Sequence, residues 1–455
     1  MSKTFIQSVL FLSIVVFSLI VHNPYLNAVL FLGIIYLDKS MLLPSLILVP
    51  IIESAYPKGT LTLEFLMVLG LIPMIIRDLF LRKSGIMTFS RSTTSIFLGF
   101  MALLLIGFFV VVVNYGENID LGATLINVVI KLFKLTMFLF IGMLLLNSKK
   151  KQFNDGMEFI VNYSAIIAIL ILGYIVYFGS RKVSGILNFG DSAHGEFTAC
   201  IVALASFNFM ALSIDPSRWG KLWRLGGIAA TLAIVFLTGS RNGLVSIVFV
   251  IGIFIVLSYR RHFALISIGV LASVFMAMML FFGGFFSVQY DGFDRQYKKL
   301  SKNKEKSEVS ALAEVSTGRT ILWATGIKGF LESPIIGKGG DEKVTRNYMD
   351  SQVSINNIAH NTPIEVAIQY GILGLVLYFR MIWLVFKRIL QYDSSKLFVR
   401  VIYLMPFFAF LSLVFSSQFI SWIWGSLYWY LFVISMVIVE RNYLEDDSNQ
   451  AYELS

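Results

Sequence analysis

Apolar runs of 13–26 residues follow one another along almost the whole chain, divided by short polar segments. A helix needs about 20 such residues to cross the hydrocarbon of a bilayer, so this succession reads as an all-α membrane protein, a bundle of 12–14 transmembrane helices. The candidate spans are Phe5–Val21, Tyr25–Leu37, Met41–Ser54, Leu61–Leu81, Ser95–Val113, Leu121–Leu146 and Met157–Phe178, then Phe197–Ile214, Leu225–Leu237, Gly243–Leu257, Phe263–Phe286, Pro363–Phe386, Leu397–Ser416 and Phe419–Val439. The second and third are short and interrupted by Pro24, Pro44 and Pro50, which suits tilted or re-entrant segments. Composition agrees: 57% of residues are hydrophobic, 14% are charged and the mean hydropathy is +0.78. That is more apolar surface than a soluble core can bury. The N-terminus has the charged start and apolar centre of a signal sequence but no small-x-small cleavage site, and reads as an uncleaved first span. Cys200 is the single cysteine, which excludes an intramolecular disulfide.

The net charge of +10 is an orientation signal rather than a mark of nucleic-acid binding, because the basic residues fall in alternate loops. Arg82, Lys83 and Arg91, then Lys149–Lys151, then Arg218, Lys221 and Arg224, then Arg260 and Arg261, then Lys387, Arg388 and Lys396 mark the cytoplasmic side. Both termini are expected there. The intervening loops, including the tight turn TGSRNG at 238–243, face outward.

One connection is unlike the rest. It divides the chain into an N-terminal transmembrane bundle at 1–286, a long extracytoplasmic loop at 287–362, C-terminal transmembrane helices at 363–440 and a cytoplasmic tail at 441–455. The first part of the loop is polar and highly charged. Its second part returns to helical spacing, with Ile321, Trp323, Ile327 and Phe330 on one apolar face before Pro334 and the following glycines, as in an amphipathic helix at a membrane surface.

Four basic residues fall on the outward side against the orientation rule: Arg181, Arg241, Arg319 and His360. Arg241 lies in a turn between two apolar runs, where an unpaired guanidinium costs up to about 3 kcal/mol, so an anionic partner is expected. A guanidinium suits phosphate because its planar fork makes two parallel hydrogen bonds at any working pH. Snorkelling to the headgroups is the competing reading, held equally for Arg181 beside Lys182. A lone interfacial histidine is usually an amphipathic filler. His360, however, shares its side of the membrane with several arginines, whose charge lowers an imidazole pKa and suits it to act as a base. Glu365 is spaced to orient that ring. Lys131 and Lys134 lie three residues apart on one face of a span, midway through the bilayer, where function, pairing with a carboxylate from another span and snorkelling in a tilted helix are all open readings. No D-x-D pair, H-E-x-x-H, C-x-x-C, P-loop or G-x-S-x-G pattern is present, so neither a metal nor another cofactor is expected.

Three stretches together resemble the bacterial O-antigen polymerases and O-antigen ligases. Ser240 and Arg241 in LTGSRNGLV resemble that family's Ser-Arg turn. Gly318, Arg319, Trp323, Gly326, Phe330, Pro334, Gly337 and Gly339 resemble its G-R-x(3)-W and P-x(2)-G-x-G segment. His360, Asn361, Glu365, Gly371 and Gly374 resemble its H-N and G-x-x-G segment. Arg181 and Gly185 resemble an earlier segment, but the turn here reads Gly190, Asp191, Ser192, Ala193, with His194 a spare candidate.

The resemblance implies an enzyme of the bacterial cytoplasmic membrane with its site on the extracytoplasmic face. Its partners would be undecaprenyl-diphosphate-linked oligosaccharide donor and acceptor, the lipid bilayer and a chain-length regulator protein. Arg241, Arg319 and Arg181 would hold the diphosphate, with Arg241 and Arg319 also stabilising the leaving group. His360 would accept the proton of the attacking hydroxyl, and Asn361, Glu365 and Ser240 would support the site. The reaction would be a metal-independent inverting glycosyl transfer that polymerises cell-surface polysaccharide. A ligase that transfers the glycan to lipid A core or another acceptor is the alternative. A flippase is a second alternative, disfavoured because its sites gather near the midplane rather than beside one long loop.

Overall fold

In the computed structural model the described residues are 3–53, 62–81, 86–115, 120–178, 191–214, 218–237, 319–340, 342–353, 361–390, 397–417 and 425–441, with positions 243, 246, 247, 252 and 359. They contain helices and no strand, as an all-α membrane protein requires. The helices are α1 (Lys3–Ile20), α2 (Pro24–Leu37), α3 (Leu42–Glu53), α4 (Leu63–Ile75), α5 (Arg91–Tyr115), α6 (Leu121–Leu146) and α7 (Lys150–Phe178). They continue with α8 (Asp191–Ile214), α9 (Arg218–Leu237), α10 (Arg319–Glu332), α11 (Glu342–Val353), α12 (Thr362–Leu390), α13 (Leu397–Ser416) and α14 (Ser426–Glu440).

Among the described residues, four helices are long and apolar enough to cross a membrane: Arg91–Tyr115, Leu121–Leu146, Lys150–Tyr177 and Thr362–Lys387. Shorter apolar helices lie over Ile6–Ile20, Pro24–Leu37, Ile201–Leu212, Ile402–Ser416 and Ser426–Glu440. Two short helices, α3 and α14, are central, whereas α1 and α2 each expose one face. In α3 every residue from Leu42 to Ile52 except Pro50 is buried, and in α14 burial runs unbroken from Ser426 to Ile438. A helix apolar on all sides is stable only when neighbours surround it. Around this core α13 packs on α8, α9 on α7 and α8, and α14 on α6 and α13.

Aromatic rings fill the contact of α14 with α5 and α6. Trp429 stacks on Phe138 at 6.2 Å between centroids and meets Phe97 and Phe100 at 5.3 and 5.4 Å. Gly142 permits the approach, since a Cβ there would lie 2.7 Å from Phe89 and Val433. At the far end of α14, Arg441 Nε donates to Leu146 O at 2.7 Å, while Ser90 N donates to Glu440 at 3.1 Å. A cation therefore caps the carbonyl end of α6, where the helix dipole favours it.

A break is present before Pro24 and another at Asp38–Met41, whereas Pro44 and Pro50, also expected to interrupt the run, both lie inside α3, Pro44 in its first turn where the missing N–H costs nothing. Asn23 caps α2, accepting from Leu26 N, and the chain then turns at Asp38 into a short 3-10 segment, Lys39–Met41, before α3. Lys39 and Arg77 both pair with Asp78, which ties this turn to the end of the α4 run.

Candidate functional site

In the stretch 319–372, α10 and the first half of α12 run side by side in the same direction, with α11 packed against both. Leu322 of α10 clusters with Met349 of α11, with Ala359 and with Ile368 of α12. Further along α10, a Cβ on Gly326 would meet Ile364 at 2.5 Å and one on Gly329 would meet Tyr348 at 2.7 Å. The packed face of α10 is thus Leu322, Thr325, Gly326 and Gly329. Of the apolar face read from the sequence, Ile327 is 51% exposed, Trp323 and Phe330 are half-buried, and Leu331 beside them is 67% exposed. Ile327 and Leu331 thus stand exposed, whereas Trp323 and Phe330 are partly covered, and the side chain of Ile321 lies outside the described residues.

Beyond Glu332 the chain locks into a break in α12. Gly371 stands at φ 63°, ψ −153° inside that helix, which releases the carbonyls before it from helical bonding. Lys338 N donates to Ile368 O at 2.7 Å and Gly339 N to Gln369 O at 3.1 Å, while Ile372 N donates back to Pro334 O at 2.8 Å. Gly337 and Gly339 have φ of 71° and 114°. That region is open to glycine and costly for residues with a Cβ. The resemblance pairs P-x(2)-G-x-G with G-x-x-G, and these bonds are the physical reason: each glycine lets one backbone reach the other. Gly340 then presses on α5, where a Cβ on Gly107 would lie 2.7 Å from Gly340 N.

Around this lock the loop's own polar groups pair with one another. Lys338 Nζ donates to Glu332 at 2.7 Å and lies 4.3 Å over the Tyr348 ring, and Tyr348 OH donates to Glu332 at 3.0 Å. The lysine holds the Glu332 carboxyl below the usual carboxylate range. Burial, followed by the bond to Glu332, pushes the Tyr348 phenol up to about 12.

Below the lock, several helix ends meet beside Lys134. Glu64, at the start of α4, is buried; its carboxylate accepts from Ser426 and, at 3.1 Å, from Tyr430 OH of α14. Glu64 N donates to the carboxylate of Glu53, the last residue of α3, at 2.7 Å, and Lys134 Nζ of α6 lies 3.6 Å from Glu64. So α3 ends, and α4 and α14 begin, at the level of Lys134. The part of α6 between Lys134 and its first residue, Leu121, is about 20 Å long, at a helical rise of about 1.5 Å per residue. Lys131 Nζ, one turn along this part, donates to Gly340 O at 3.4 Å. A cavity of about 170 Å³ opens here, lined by Asn127, Ile130, Lys131, Lys134, Leu135, Phe138 and Trp429. Of the readings open for the lysine pair, pairing with a carboxylate from another helix holds for Lys134, whose partner Glu64 is an acidic residue set in the apolar run LTLEFLMVLG.

Of the residues named from the sequence, Asn361 and Glu365 are buried at the start of α12, and Asn361 Oδ1 accepts from Ile364 N at 3.0 Å as a helix cap. Arg319 is the first residue of α10, at the same end of the α10–α12 pair as Ala359 and Asn361. Arg181, Ser240, Arg241 and His360 lie outside the described residues, as do the side chains of Arg319 and His194.

Residues 226–379 match the family model of the O-antigen ligases. Over that stretch the chain is similar to the O-antigen ligases. No curated protein matches the chain. The O-antigen ligase-type stretch is about a third of the whole and includes the last part of α9, all of α10 and α11, and α12 as far as Phe379. It therefore contains the entire glycine lock, together with positions 240, 241, 319, 360, 361 and 365, in agreement with the resemblance to O-antigen polymerases and ligases. Arg181, Lys131, Lys134 and Glu64 lie before it.

Proposed function

We propose that this membrane glycan-processing enzyme polymerises cell-surface polysaccharide on the extracytoplasmic face of a bacterial cytoplasmic membrane. The observation that carries the reading is the O-antigen ligase-type match over the one stretch that holds Arg241, Arg319 and His360. In the reaction, a sugar hydroxyl of one lipid-linked repeat unit attacks the anomeric carbon of another glycan from the side opposite its diphosphate. The new glycosidic C–O bond forms as the old C–O bond to diphosphate breaks, which inverts the centre. His360 takes the hydroxyl proton, and undecaprenyl diphosphate departs with the electron pair.

Arg241, Arg319 and Arg181 hold the donor diphosphate, and their guanidinium groups stabilise the charge that grows on the leaving oxygen. Asn361 supports the reading by what it does locally: as the cap of α12 it holds the helix start directly after position 360. Glu365 and Ser240 complete the supporting set, and a chain-length regulator protein is the expected partner. The name of the matched family favours a ligase as the second reading, with lipid A core or another acceptor in place of the second repeat unit.

The test is a deletion strain complemented with wild type, His360→Ala or Arg241→Ala, with membrane insertion checked by immunoblot and glycans resolved on gels. A polymerase deletion leaves single repeat units attached, whereas a ligase deletion leaves full-length polymer unattached. Both variants are expected to reproduce the deletion pattern. Normal chain length in either, at normal expression, overturns that residue's role.

A further inference from the structure

Asn127, Lys131 and Lys134 are spaced i, i+4 and i+7, so they form one stripe along α6. On the neighbouring face Ile126, Val129 and Ile130 are 62%, 54% and 42% exposed. Each lysine placed in the middle of a membrane-spanning helix costs about 2.5–3.5 kcal/mol on insertion scales, so leucine would serve packing better. The stripe lines a cavity of about 170 Å³. One water needs only ~15 Å³ on the same measure. The cavity lies beside the ends of α3, α4 and α14, and Lys131, one of its lining residues, also donates to Gly340 O of the lock.

Two ammonium groups and one side-chain amide thus share a single polar wall. Lys134 Nζ lies 3.6 Å from the Glu64 carboxylate, and Lys131 Nζ donates to Gly340 O of the lock at 3.4 Å. The polymerase reaction brings two anionic molecules together, since donor and acceptor each carry a lipid diphosphate, and the arginine set accounts for one of them.

We propose that the Asn127–Lys131–Lys134 cavity is a second anion site, which takes the diphosphate of the lipid-linked acceptor. Lys131 meets the phosphate oxygens and Asn127 donates its amide to them. Lys134, anchored by Glu64, keeps the wall positive. This assignment rests on the transferase reading above and extends it to a helix that precedes the O-antigen ligase-type stretch.

The experiment uses the full-length protein in nanodiscs, titrated with farnesyl diphosphate, with inorganic diphosphate and with farnesol. The wild type is expected to take two equivalents of farnesyl diphosphate. Lys131→Met, which inserts more readily than wild type, should lose about ten- to a hundredfold in affinity at one of them, the scale of a hydrogen bond to a charged group. Lys131→Arg should restore it. Superimposable titrations of wild type and Lys131→Met overturn the proposal. So does a single wild-type equivalent abolished by Lys131→Met, because the cavity is then the donor site. Farnesol binding at the Lys131 site as well as farnesyl diphosphate does, or tighter binding of inorganic diphosphate than of the lipid, also overturns it. The polymer assay with Arg241→Ala runs in parallel. Lost polymer beside an unaffected Lys131→Met titration sinks the lysine site alone, and retained polymer sinks the transferase reading itself.

Discussion

Substituting Gly371 with alanine probes the lock directly. The backbone there stands at φ 63° and ψ −153°, and a new Cβ would lie 2.3 Å from Ile335 O, with backbone as the obstacle. A side chain in that conformation is strained by about 1–3 kcal/mol. Relieving the overlap means separating the loop from α12, which breaks the bonds from Lys338 N, Gly339 N and Ile372 N, each worth about 1 kcal/mol net. Since strain and lost bonds relieve each other in part, the expected loss is about 3–5 kcal/mol of local stability, a factor of about one hundred to several thousand in the opening equilibrium. Hydrogen exchange read by mass spectrometry on peptides covering 333–340 and 366–374, in nanodiscs, measures this opening at those amides. Gly33→Ala and Gly173→Ala are the controls, because a Cβ at either meets nothing within 4 Å. Alanine in a helix is moreover favourable over glycine by up to about 1 kcal/mol. Wild-type protection at Lys338, Gly339 and Ile372 in the Gly371→Ala protein would refute the interlock.

The remaining predictions concern charge and capping. Glu64→Ala leaves the Lys134 ammonium without its carboxylate and strands Ser426 and Tyr430. The cost should approach the lower end of the ~3–5 kcal/mol typical of broken buried pairs, as the Lys134 side chain is 30% exposed, and Glu64→Ala with Lys134→Met should recover part of the lost melting temperature in detergent. The Glu332 carboxyl titrates lower when folded than unfolded, so its contribution is complete above the unfolded value of about 4.3 and disappears as pH falls through the folded value. Exchange protection of α11 should thus be flat near neutrality and weaken in acid, and Glu332→Gln should remove that dependence. Tyr348 has the opposite sign: its contribution is present below about 10 and lost as pH rises through about 12, so Tyr348→Phe should flatten the alkaline limb. Asn361→Ala should cost about 1 kcal/mol as a lost cap, seen as a lower melting temperature, and Asn361→Asp should retain it.

The membrane bundle was legible because apolar length is written directly into composition, and α5, α6 and α12 coincide closely with runs of that kind. The meeting of helix ends beside Lys134 was not. It depends on where α3, α4 and α14 stop relative to α6, and short apolar runs such as LLPSLILVPIIE carry no sign of their depth. The lysine pair of α6 left function, carboxylate pairing and snorkelling all open; that Lys134 meets Glu64 is decided by helix order in space, which also joins Glu64 to Ser426, 362 positions along the chain. For α10 the apolar spacing identified a helix, whereas the face packed against protein proved to be the one built on Gly326 and Gly329, because small residues carry no hydropathy signal for close approach. Helix α11 falls inside the expected loop; its sequence EKVTRNYMDSQV is polar over most of its surface and docks through Val344 and Met349.

These observations separate two kinds of motif residue that a sequence pattern lists alike. Gly337, Gly339 and Gly371 have positive φ and neighbouring atoms within 2.5 Å of a would-be Cβ, so their job is to shape the loop. A variant at any of them would silence an enzyme without touching substrate. Loss of polymer therefore does not by itself mark a catalytic residue in this segment. The discriminating measurement is exchange protection at Lys338, Gly339 and Ile372: shape variants lose it, whereas His360→Ala and Arg241→Ala, if those residues act on substrate, abolish polymer and leave the lock intact. Lys131→Met sits between the two classes, because its side chain both lines the cavity and contacts Gly340 O of the lock, and the prediction is that protection at Ile372 survives while one of the two farnesyl diphosphate equivalents binds more weakly.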